Sequence, residues 1–133
     1  MHRLPSASVL HRFRLAAILL LLNYLLAPVS LGLLAWSIVM HERTLTLVAC
    51  GMLALAIVFA IIQFLTASRA RCPLCLTPSL ANKACSRHRN ARKLLGSYRL
   101  RVAGTIVFQG KFRCPYCGEP TAMEVRQRRN LQS

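Results

Sequence analysis

"LAAILLLLNYLLAPVSLGLLAWSIVM", residues 15–40, carries no charged side chain. At 1.5 Å per residue a helix over this stretch is about 39 Å long, against roughly 30 Å for the hydrocarbon core of a bilayer. A second uncharged run, "LTLVACGMLALAIVFAIIQFLTA" at 45–67, reaches about 34 Å on the same rise. Helices that are apolar on every face need cover on every face. The rest of the 133-residue chain is mostly cationic and too short to provide it, so lipid is the expected cover. The composition agrees: 55% hydrophobic residues coexist with a formal net charge of +15, and the two are almost fully segregated along the chain. The first run exceeds the 7–15 apolar residues of a secretory signal peptide, and a second run follows at once, so removal as a leader is not expected.

The connection "HERT", 41–44, allows only a tight helical hairpin. Orientation follows from the flanking Lys and Arg. Three precede Leu15, one (Arg43) lies in the connection, and fourteen of the eighteen follow Ser68. Both termini are therefore expected in the cytoplasm, in a multi-pass protein of the inner or plasma membrane. Trp36 near the outer boundary fits an interfacial anchor. Polar groups within the runs are few: Asn23, Tyr24 and Gln63. No ionisable residue marks a transport path, so an interhelical hydrogen bond or headgroup contact is the expected role for Asn23 and Gln63. Pro28 is expected to kink the first helix, and Ala56 with Ala60 forms a small-xxx-small step.

Residues 68–133 have a net charge of +12, fourteen basic residues against Glu119 and Glu124, and hold five of the six cysteines. In a reducing compartment clustered cysteines read as metal ligands or redox centres. "CPYC" at 114–117 resembles the active site of a glutaredoxin. That chemistry needs its first cysteine at the start of a long helix, and Gly118 and Pro120 fall where the helix would run. "CPLC" at 72–75 supplies the other half of a metal clamp. Two C-x2-C turns give the four soft ligands of a closed zinc site, with proline setting each turn. Cys72-Pro73-Leu74-Cys75 and Cys114-Pro115-Tyr116-Cys117-Gly118 resemble the paired knuckles of zinc-ribbon domains. The resemblance implies one structural Zn2+ held by Cys72, Cys75, Cys114 and Cys117. The 38-residue spacer between them is longer than in a compact ribbon, and it contains Cys85 and His88 as alternative ligands.

The expected architecture is a membrane α-helical hairpin (15–40, 45–67) after a basic tail (1–14). A small α+β zinc-ribbon-like domain with a short antiparallel sheet (68–126) and a disordered basic tail (127–133) follow. Ser86 is placed to cap a short helix through "RHRNARKLL", ended by Gly96. "YRLRV" at 98–102 alternates like a half-buried strand, and "TIVF" and "KFRC" read as a hairpin turning at Gln109-Gly110. Arg87, Arg89, Arg92, Lys93, Arg99 and Arg101 are the candidate contacts for an anionic partner. Tethered beside a membrane, these favour anionic lipid headgroups or a protein partner, with nucleic acid as the alternative. No catalytic set emerges. Glu119 is the only carboxylate beside a knuckle, so an enzyme is not expected.

Overall fold

In the computed structural model, which describes residues 2–81 and 84–125, the elements run β1 (His2–Leu4), α1 (Ala7–Met40), α2 (Arg43–Arg69), α3 (Tyr98–Gln109), β2 (Lys111–Arg113) and β3 (Pro120–Val125). The expected tail at 127–133 lies outside the described residues. Both long helices are of a length and apolarity that could cross a membrane. They pack along one another as an antiparallel hairpin, with Ala49, Ala56, Gln63 and Ala67 of α2 turned inward. Small residues at the seam let the two backbones approach closely. Their closed end is clasped by polar contacts. Ser37 Oγ lies 2.6 Å from Thr46 Oγ1, and Thr46 Oγ1 donates to the Glu42 carbonyl at 2.9 Å. His41 takes a positive φ of 53° to make the turn. Gln63 is buried between the helices, and its Nε2 has no hydrogen-bond partner among the described residues. The helix α1 continues through Pro28 from Ala7 to Met40.

Residues 2–14 are not a free tail. Leu4 is fully buried in β1, and α1 begins eight residues before Leu15. At 34 residues α1 is about 51 Å long. Its first third is part of the remaining fold. Phe13, Ala16, Ala17 and Leu20, at i, i+3, i+4 and i+7, form one buried face. They belong to the same core as Leu100, Val102, Ala103 and Ile106 of α3, Phe112 of β2 and Met123 of β3. The rings of Phe13 and Phe112 stack with centroids 5.1 Å apart.

Three sequence expectations are corrected. The segment 98–109 is one helix, not two strands, because Leu100, Ala103 and Ile106 recur at helical spacing and bury against α1. The apparent alternation of "YRLRV" does not reflect a sheet face: Arg99 turns inward, its Nε donating to the Leu80 carbonyl at 2.8 Å. Gly110, at φ 63°, ends this helix. Second, the expected helix over 87–95 is absent. Its backbone is engaged elsewhere, with His88 N–H donating to the Pro115 carbonyl at 2.8 Å and Ala91 N–H to the His88 carbonyl at 3.0 Å. Leu95 and Gly96 both have positive φ in a two-residue turn closed by reciprocal Leu94–Ser97 hydrogen bonds, the I′ pattern.

Third, the sheet is mixed. Its order is β1-β3-β2, with β1 parallel and β2 antiparallel to β3. The hairpin therefore forms between β2 and β3, in the register Lys111↔Ala122, Phe112↔Thr121 and Arg113↔Pro120. The second knuckle is its loop.

Truncating Phe13 to Ala removes a fully buried ring from the junction of α1 with β2. A loss of about 3–5 kcal/mol is expected. Limited proteolysis should then cut within 70–125 while the clasped hairpin stays intact. Unchanged protease resistance would show that the two parts fold independently.

Candidate metal centre

The two CPxC turns fold in the same way. In the first, Leu76 N–H donates to the Cys72 carbonyl at 2.9 Å and Cys72 N–H donates to the Thr77 carbonyl at 3.0 Å. In the second, Gly118 N–H donates to the Cys114 carbonyl at 2.9 Å and Cys114 N–H donates to the Glu119 carbonyl at 3.2 Å. The residue after the second cysteine is left-handed in both, Leu76 at φ 55° and Gly118 at φ 75°. The first knuckle hangs directly from the end of α2, and an Arg71–Pro78 bridge closes its base. The second is held by the β2–β3 ladder.

The two turns face each other. The sulfurs of Cys72, Cys75, Cys114 and Cys117 all lie within 4.8 Å of one another, a group that could hold a metal ion. Across the turns, Cys75 Sγ lies 3.7 Å from Cys114 Sγ, and Cys72 Sγ lies 4.0 Å from Cys117 Sγ. Cys72 and Cys114 are buried, and Cys75 and Cys117 half-buried. Hydrogen bonding from the Cys114 thiol, aided by the N–H groups of Cys75 and Leu74, holds the Cys72 thiol down to about 5. The same interaction, with burial, pushes Cys114 well above the ordinary thiol range, and burial pushes Cys117 up. A cation held by these four sulfurs would displace the thiol protons.

Cys85 and His88 do not join this group. Cys85 is exposed. His88 instead packs its ring on the second knuckle, where its Cγ would lie 2.8 Å from a Cβ at Gly118. Gly118 is therefore required twice, for its φ and for the space the imidazole fills.

The cations expected to meet an anionic partner divide into three groups. Arg89, Arg92 and Arg101 line one groove beside the second knuckle. Arg87 and Lys93 lie over the Tyr98 ring, 4.5 and 5.4 Å from its centroid. Arg99 is half-buried with its Nε on the Leu80 carbonyl, and desolvation lowers its pKa. Lys111 and Arg113 also line the groove and are not among the residues expected from the sequence. The signal for them is the alternation "KFR", exposed–buried–exposed around Phe112. Comparison of the chain with protein families, with curated proteins and with solved structures found no match.

Leu76 and Gly118 occupy equivalent left-handed positions, and Leu76 is largely exposed. Leu76→Gly should be neutral within about 1 kcal/mol, relief of the left-handed strain offsetting the entropy glycine adds to the unfolded chain. Gly118→Ala should cost more than about 1 kcal/mol and displace His88. Thermal unfolding of the two variants checks the contrast. Because Cys114 and Cys117 must lose protons to bind a cation, metal affinity should fall steeply as the pH drops below neutrality. Competition against a chromophoric chelator measures it.

Proposed function

We propose that the chain is a non-catalytic, membrane-anchored interaction module. Its cytoplasmic domain is closed by one structural zinc ion and presents a cationic surface to anionic lipid headgroups or to a protein partner. The observation that carries this reading is the tetrad of sulfurs at the open end of an apolar helical hairpin. Four thiolates at about 2.3 Å from a tetrahedral zinc lie about 3.8 Å apart. The sulfurs that face across the two turns are 3.7 and 4.0 Å apart. Two equivalent knuckles, one of them on a β-hairpin, are similar to the zinc-ribbon arrangement, to which this chain adds β1 and α3.

The membrane assignment rests on length and on charge. The α1 face from Phe13 to Leu20 belongs to the shared core. The twenty residues 21–40 beyond it span about 30 Å, the thickness of a hydrocarbon core. Large side chains there, among them Leu25, Leu31, Trp36 and Val39, point away from the protein. Arg12, Arg14, Arg69 and Arg71 flank the open end of the hairpin and Arg43 alone the clasped end, which favours a cytoplasmic open end. An anionic leaflet attracts each nearby cation by about 1 kcal/mol.

Four sulfur donors leave no open coordination position for a substrate, which supports a structural role for the ion. Glu119 is exposed, and its carbonyl is engaged by Cys114. Nucleic-acid binding is less well supported, because two aromatic rings near the cationic residues are already occupied and do not lie open for base stacking. Tyr98 carries Arg87 and Lys93, and Phe112 is buried against Phe13.

Full-length protein purified in detergent under reducing conditions should contain one zinc per chain by mass spectrometry. Cys72→Ser and Cys117→Ser should each lower the zinc content severalfold and expose 70–125 to protease. Wild-type protein without bound metal that nevertheless resists protease would overturn the assignment.

A further inference from the structure

A groove of about 750 Å³ opens between α3, the 88–92 segment and β2, against the back of the second knuckle. One face of α3 forms its wall: Tyr98, Arg101, Val102, Thr105 and Gln109, at i, i+3, i+4, i+7 and i+11. The opposite face of that helix is committed to the core through Leu100, Ala103 and Ile106. Arg101 thus projects into the groove from a helix that the core holds fixed. Lys111 and Arg113 enter from β2, whose intervening Phe112 is buried, and Arg89 and Arg92 enter from the loop. That loop is anchored by His88 N–H on the Pro115 carbonyl. Five cations therefore converge from three fixed elements.

Among the described residues no carboxylate lines the groove. The chain has only three. Glu42 lies at the clasped end of the hairpin, Glu124 pairs with Arg3 at 3.6 Å, and Glu119 is exposed outside the lining. A concave site lined by one sign of charge concentrates the opposite ion. Arginine forks match phosphoryl oxygens in particular. The floor is apolar, with Val102, Phe112 and Pro115 buried, and the volume is that of a small-molecule site.

We propose that this groove binds a di- or polyphosphate group, presented either by a phospholipid headgroup or by a soluble polyphosphate. The inference rests on the zinc-held reading, since Cys114, Pro115 and Gly118 form part of the wall. A di- or triphosphate, at three to four negative charges, matches five cations in a way that a single carboxylate does not.

The test uses full-length protein in nanodiscs of uncharged phosphatidylcholine, with inorganic triphosphate as the probe, binding read by calorimetry and zinc measured on every sample. Wild type should bind triphosphate at about one per chain. Arg101→Gln and Arg113→Gln should each weaken it about tenfold, and the pair about a hundredfold. Both variants should keep their zinc, and Arg43→Gln at the other end of the hairpin should bind as wild type. Nanodiscs containing cardiolipin, whose headgroup carries two phosphates, separate the sources. Weakened triphosphate binding there identifies a headgroup as the occupant, and unchanged binding identifies a soluble polyphosphate. Failure of zinc-replete wild type to bind triphosphate overturns the groove and leaves the zinc module standing. So does equal binding by the arginine variants, or binding of long RNA alone. Wild type devoid of zinc overturns the metal reading on which the groove depends.

Discussion

The face Phe13–Ala16–Ala17–Leu20 is the surface on which the rest of the molecule depends. The 66 residues from Ser68 onward carry fourteen cations and two carboxylates and cannot assemble a sufficient apolar core of their own. The helix α1 supplies it by running past the length a bilayer needs and offering its surplus turns to α3 and the sheet. The α3 helix is correspondingly narrow in its apolar content. Leu100, Ala103 and Ile106 meet α1, and the remaining positions are free to carry Arg101 and Gln109 into the groove. Stability and the cationic surface are thus divided between two faces of one short helix.

The sulfur tetrad solves a different problem. Its two knuckles are otherwise held by unrelated elements, one by α2 and one by the β2–β3 hairpin. Drawing four sulfurs within 4.8 Å fixes the base of α2 against the sheet. The 38 residues between them become a long excursion that contributes α3 and the 88–92 loop. His88 belongs to this excursion, and its ring touches the knuckle without joining the sulfurs.

Much of this is legible in the sequence, and the parts that are not share a physical reason. The hairpin can be read because two uncharged helical runs joined by four residues must fold back on one another, and the sulfur group because CPxC occurs twice. The 98–109 segment misleads because "YRLRV" satisfies period two over five residues while Leu100, Ala103 and Ile106 satisfy the helical period over a longer window. The short window is decisive only if Arg99 faces solvent, and it faces Leu80. In place of the 87–95 helix, His88 N–H is taken by Pro115, a partner more than twenty residues away that local propensity does not register, and Leu94 N–H is taken by Ser97 in a tight turn. The share of α1 in the core is hidden for the same reason: charge at Arg12 and Arg14 marks an end of the apolar run but not an end of the helix.

The pairing of β1 with β3 sets an order of events during synthesis. His2 lies opposite Thr121, so β1 has no partner until β3 leaves the ribosome. Both apolar helices emerge in that interval. The strand β1 must stay available through that interval, and it can join β3 only after both helices have been made. Contacts this distant along the chain form slowly. The sheet that carries the second CPxC turn is therefore completed late, when β1 pairs with β3.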